Sequence, residues 1–139
     1  MLTVIEPGSG RYRLPATETE LNKIETHVPQ EWLTKLGTTD SPSSVDNVLS
    51  SLSTASFVHF ACHGVQNLNN PLDSALILND GFLKISQLME RPLPNATLAF
   101  LSACETAKGD ESAPDEALHI AATLLFAGFR GVIGTMWCV

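Results

Sequence analysis

Two apolar runs set the terms on which this chain can fold. Val58-His59-Phe60-Ala61-Cys62-His63-Gly64 and Leu98-Ala99-Phe100-Leu101-Ser102-Ala103-Cys104-Glu105-Thr106 are each short enough to be a buried strand. Each ends on a reactive side chain, the first on the imidazole of His63 and the second on the thiol of Cys104. A thiol becomes a useful nucleophile at neutral pH when an imidazole stands close by. Adjacent strand ends would bring the two together, so the pattern points to a Cys/His dyad. The rest of the chain must fold so that the two runs lie side by side.

The intervening segments read as parts of a parallel sheet with crossover helices. Leu2 to Ile5 is β-prone and is closed by Pro7-Gly8-Ser9-Gly10. Thr17 stands three residues before Glu20, the spacing of a capping box, and Leu21, Ile24 and Val28 repeat at helical intervals until Pro29. Trp32 to Leu36 reads as a brief second strand ending at Gly37. Ser41-Pro42 reads as an N-cap with proline at the first helical position, followed by an apolar stripe of Val45, Val48, Leu49 and Leu52. The first of the two long strands follows at once. Such helix-then-strand alternation favours a parallel sheet.

Beyond His63-Gly64, residues Val65 to Asn70 are polar and Asn-rich, as expected of a surface loop. Ala75 to Leu78, Asn79-Asp80-Gly81 and Phe82-Leu83 read as a small hairpin turned by Asp-Gly. Ile85, Leu88 and Met89 fit a short helix ended by Arg91-Pro92, and the Thr97 to Ser102 strand comes next. Lys108 to Pro114 is a polar loop. Pro114, Asp115 and Glu116 suit a helix start, and that helix runs through Leu118, Ala121, Ala122 and Leu125 to a capping Gly128. Gly131 to Met136 is a last apolar strand. A central parallel strand needs neighbours and covered faces, so a chain stopping near it is expected to be part of a larger unit.

Composition narrows the function classes. With 139 residues the chain is one domain, and its 44% apolar and 17% charged content is that of a globular protein with a real core. A net charge of -7 without a Lys/Arg cluster argues against nucleic-acid binding. No segment reads as a signal sequence or membrane span. Three cysteines cannot form a fully paired disulfide set, which suits a reducing compartment; the expected location is cytoplasmic, with the nucleus as an alternative.

Taken singly, the chemistry-bearing residues have ordinary explanations. His63 at a strand end can bond a backbone carbonyl, and free Cys is often a small buried hydrophobe. What raises the pair is position, because ligands of open α/β sheets bind at the carboxyl ends of strands. Gly64 lets the backbone turn sharply and leaves its N–H open to an incoming carbonyl oxygen. Cys62 neighbours His63 and therefore points to the opposite sheet face, into the core. His59 shares a face with His63. A zinc site of His59, His63 and Cys104 is conceivable, but no CxxC or HxxxH helix supports it, and a buried, hydrogen-bonded His59 is the expectation. His27 and His119 fall on surface helices. Cys138 has no assigned role, and Glu105 is either an exposed carboxylate, a partner for His63 or a contact for a substrate amine.

The segments His59 to Gly64, Asn70-Pro71-Leu72 and Leu101-Ser102-Ala103-Cys104-Glu105-Thr106 together resemble the CHAT domain, a caspase-like family often attached to tetratricopeptide repeats. The similarity takes in Pro15-Ala16-Thr17, Leu76-Ile77-Leu78 with Asp80-Gly81, Leu88, Ala127 to Val132 and Gly134-Thr135-Met136-Trp137, from about Leu14 onward. Fungal members are the most similar in wording. The resemblance implies a caspase-like three-layer α-β-α sandwich, with a mainly parallel central sheet plus a small hairpin and with the C-terminal part missing. It implies a cysteine endopeptidase with His63 as general base, Cys104 as nucleophile and the N–H groups of Gly64 and Cys104 as oxyanion hole. Cofactors and metals are not expected, and the partners are a protein or peptide substrate and a tetratricopeptide-repeat region of a parent protein. Glu105 and Asp115 are the substrate-binding candidates, Asp115 or Glu116 favouring a basic residue before the scissile bond.

Two departures qualify the resemblance. Cys104 is followed by Glu-Thr rather than by the caspase signature, so aspartate specificity is not implied. Family members also continue past the Trp137 strand with segments that shape the substrate cleft. The alternative reading is therefore a non-catalytic interaction or signalling module on the same fold. A third is an α/β domain whose Cys and His are structural.

Overall fold

The computed structural model describes residues 1–10, 13–65, 67, 69–102 and 116–134, with 116–119 described by backbone alone. The first strand, β1 (Leu2–Ile5), is buried along its whole length, as a strand covered on both faces must be. Helix α1 (Ala16–His27) leads to β2 (Thr34–Leu36), and α2 (Val45–Leu52) leads back to β3 (Phe57–Ala61). Next come three short strands, β4 (Gly64–Val65), β5 (Ala75–Leu78) and β6 (Gly81–Lys84), then helix α3 (Ile85–Met89). Strand β7 (Leu98–Ser102), helix α4 (Glu116–Phe126) and strand β8 (Gly131–Gly134) complete the order.

The five long-range strands form one sheet in the order β2-β1-β3-β7-β8, with every neighbouring pair parallel. The chain first steps from β1 out to β2 and then returns across β1 to β3. With right-handed crossovers, that reversal places successive helices on opposite faces. Packing agrees: Leu21 of α1 clusters with Ile5 and Ala61 on one face. On the other, Val48, Leu49 and Leu52 of α2, Leu88 of α3 and Ile120 and Leu124 of α4 cluster with Leu2, Val4, Phe60 and Leu101. The architecture is the expected α-β-α sandwich with a mainly parallel sheet. Burying a side chain such as Phe60 or Leu52 contributes roughly 2–3 kcal/mol, so the larger face carries most of the stability.

The second sheet, in the order β4-β5-β6, is antiparallel. It is larger than the expected hairpin by one strand. Gly64 and Val65 leave β3 and pair at once with β5, so the segment after His63 starts as structure rather than loop. The hairpin turn also serves a helix. Asn79 N donates to Ser43 O at 3.2 Å, and Val45 N donates to Asp80 Oδ1 at 2.8 Å, tying the turn to the start of α2.

Two local expectations are corrected. The Thr17/Glu20 capping box does not form: Pro15 precedes the helix, and Thr17 Oγ1 donates to Leu14 O at 2.8 Å inside it. Helix α2 starts three residues later than the Ser41-Pro42 signal, because Ser44 accepts from Asn47 N at 3.3 Å and is the N-cap. Among the described side chains of α4, Ile120, Thr123 and Leu124 are buried, as is Ala127 just after it, whereas Leu125 is exposed. The helix ends as expected at Gly128, whose positive φ of 118° suits a residue without a Cβ.

Candidate active site

Strand alternation sorts the residues of β3 and its neighbours onto two faces. Val58, Phe60 and Cys62 point into the main core, and Cys62 is 1% exposed. That places Cys62 where the sequence reading put it, as packing. Thr3, His59, Ala61 and Ser102 point instead toward α1, as their contacts with that helix and with one another show. His63 follows Ala61 by two residues at the carboxyl end of β3 and is itself buried.

The backbone of His63 is held where the two sheets meet. Its carbonyl accepts from Ile77 N at 2.8 Å. Gly64 sits opposite Leu76 in the antiparallel β4–β5 ladder. Given the Ile77-to-His63 bond, this is a non-hydrogen-bonded pair, and the Gly64 N–H points away from β5.

Before His63 along β3 lies a partly buried polar network that spans four elements, its Glu20 side chain 26% exposed. Thr3 Oγ1 and His59 Nδ1 are 3.0 Å apart, His59 Nε2 and Glu20 Oε2 are 2.9 Å apart, and Ser102 Oγ donates to Glu20 Oε1 at 2.6 Å. Phe100 stacks on the His59 ring with centroids 5.5 Å apart. Burial lowers the His59 pKa from its ordinary value, outweighing the opposing pull of Glu20. The neutral ring then has one consistent arrangement: Nε2–H donates to the Glu20 carboxylate and Nδ1 accepts from Thr3. His59 is the buried, hydrogen-bonded histidine expected from its position mid-strand.

Other expectations divide by where they fall. Cys104, Glu105 and Asp115 lie outside the described residues, as do Cys138 and the side chains of Glu116 and His119. His27 is exposed on α1, with its Nδ1 2.8 Å from Lys23 O. Among the described residues no group of three or more His, Cys, Asp or Glu is arranged to hold a metal ion. No described helix is long and apolar enough to cross a membrane.

The sequence reading missed Glu20 and Ser102. The signal was present in α1: Glu20 follows Thr17 by three residues and precedes Leu21, and both of those are buried. A carboxylate on the buried stripe of a helix needs a partner beneath it.

The family model described as CHAT domain matches residues 8–139, nearly the whole chain and a little more of it than the motifs alone cover. No curated protein is similar enough to the chain to count as a match.

Proposed function

Because the chain belongs to the CHAT-domain family, a caspase-like group, we propose that it is a cysteine-type endopeptidase domain acting through His63 and Cys104. One observation carries this reading. In the β3–β7 pairing Phe57 lies opposite Leu98 and Ala61 opposite Ser102. The sequence separation of each such pair equals that between His63 and Cys104. Residues level with each other on adjacent strands have Cα atoms about 5 Å apart. If the same register were carried two residues past the end of each strand, His63 would stand level with Cys104, and the proposal rests on that continuation.

The chemistry follows from that pairing. His63 takes the Cys104 proton, and the thiolate sulfur attacks the scissile carbonyl carbon. The oxygen becomes an oxyanion, held by the N–H groups of Gly64 and Cys104. As the tetrahedral species collapses, the C–N bond breaks and protonated His63 delivers its proton to the leaving amine. A thioester remains. Water, deprotonated by His63, attacks it, releasing the new carboxylic acid and restoring the thiol. Glu105 and Asp115 are the proposed substrate contacts, and a carboxylate at Asp115 or Glu116 would favour a Lys or Arg before the scissile bond.

A mass-spectrometric cleavage assay on a peptide library tests the reading. It predicts cleavage by the parent chain, loss to background in Cys104→Ala, and a fall of roughly 10²–10⁴-fold in His63→Ala. Cleavage sites should be enriched in a preceding Lys or Arg. Cleavage that survives Cys104→Ala, or a folded parent chain that cleaves nothing, rejects the peptidase and leaves an interaction module.

A further inference from the structure

The Glu20 network reaches the two strands that lead to the proposed dyad, and it does so with a single carboxylate. His59 stands on β3 four residues before His63, and Ser102 stands on β7 two residues before Cys104. Glu20 comes down from α1 with one oxygen 2.9 Å from His59 Nε2 and the other 2.6 Å from Ser102 Oγ. The helix is thereby pinned to both strands at once, at the last residue of β7 and two residues before the end of β3. Thr3 from β1 and the ring of Phe100 hold His59 from two further sides.

A purely space-filling role explains this poorly. A buried ionic or polar cluster contributes little or nothing compared with well-packed apolar side chains of the same volume. Ile5, Leu21 and Ala61 already supply such packing on this face. What a two-handed carboxylate adds is direction, because it fixes the lateral and longitudinal relation of the two strands it bridges. Displacement of reacting groups by about 1 Å can cost on the order of 10²-fold in rate.

We propose that Glu20 is a positioning residue for the His63/Cys104 dyad, acting through His59 on β3 and Ser102 on β7. The inference rests on the peptidase reading above. It also predicts which replacements work. Glutamine at position 20 can accept from His59 through its carbonyl oxygen and donate from its amide to Ser102 Oγ, so the bridge survives without the charge. Leucine at position 20 leaves both donors without an acceptor, and alanine at position 102 removes one arm of the bridge only.

The test uses a peptidyl electrophile and resolves the maximal inactivation rate constant from the half-saturating concentration. Parallel near-UV circular dichroism and thermal melts report on the fold. Ser102→Ala and Glu20→Leu should lower the maximal rate constant by about tenfold to a hundredfold while the half-saturating concentration holds. Glu20→Gln should recover most of what Glu20→Leu loses. If Glu20→Leu fails to fold, the Ser102→Ala and Glu20→Gln pair still decides. Folded Ser102→Ala with the parent rate constant overturns the inference, as does Glu20→Gln as slow as Ser102→Ala. In both of those cases labelling of the parent remains His63-dependent and the peptidase reading stands. Parent labelling that His63→Ala leaves unchanged removes that reading, and the positioning role with it.

Discussion

His59 has both ring nitrogens engaged and its ring covered, and its environment makes a pH-dependent contribution to stability. Its ordinary pKa is 6.5, and burial lowers it in the fold, with Glu20 of α1 the charged group facing it. Below that ordinary value the unfolded chain binds a proton that the folded chain resists. Stability therefore rises with pH through this window. The contribution is complete above 6.5 and is lost as pH falls through the folded-state value. Urea unfolding should show a lower midpoint at about pH 5.5 than at about pH 7.5. His59→Asn should be less stable at neutral pH but should show a smaller difference between the two. An unchanged pH difference in that variant would show that the dependence comes from other groups. At this scale the sequence told a good deal. Cys62 in the core and His59 as a bonded histidine follow from strand alternation alone. Glu20 was hidden because the same spacing from Thr17 also spells a capping box, and only tertiary packing chooses between the two.

Elements were legible where periodicity was strong and misplaced where short polar signals competed. Before α2 stand Ser41, Ser43 and Ser44, and proline at position 42 made the first of them look like the cap. The cap is Ser44, because Asp80 at the hairpin turn takes the N–H of Val45 and fixes where the first turn begins. Ser44→Ala should cost about 1 kcal/mol in chemical denaturation, whereas Ser41→Ala should stay within about 0.5 kcal/mol. Equal effects would mean that the helix starts elsewhere. Gly37, at the end of β2, has φ 97°, and a Cβ there would overlap the carbonyl of Ile5. Gly37→Ala should therefore destabilise by at least about 2 kcal/mol, combining left-handed strain with displacement of β1. Leu52→Ala, on the buried side of α2, should cost about 2–5 kcal/mol. The strand β4 escaped notice because two residues carry no periodicity. Its existence depends on β5 arriving alongside.

For the molecule as a whole, the parallel sheet was foreseeable and the strand order was not. Alternating helices and strands imply parallel pairing, but nothing local says that β1 lies between β2 and β3. That order is what matters, since it sets β3 against β7 with Ala61 opposite Ser102, the register on which the proposed His63/Cys104 pairing rests. Helices pack on both faces of that sheet, α1 on one and α2, α3 and α4 on the other. The His63/Cys104 reading is most directly tested by the pH dependence of Cys104 alkylation, followed by intact mass in the parent chain and in His63→Ala. A Cys104 thiolate paired with His63 predicts rapid modification that continues below the ordinary thiol pKa of about 8.5. In His63→Ala the titration should return to that ordinary value. Identical profiles in the two proteins, with Cys104 titrating as a simple thiol in both, would contradict it.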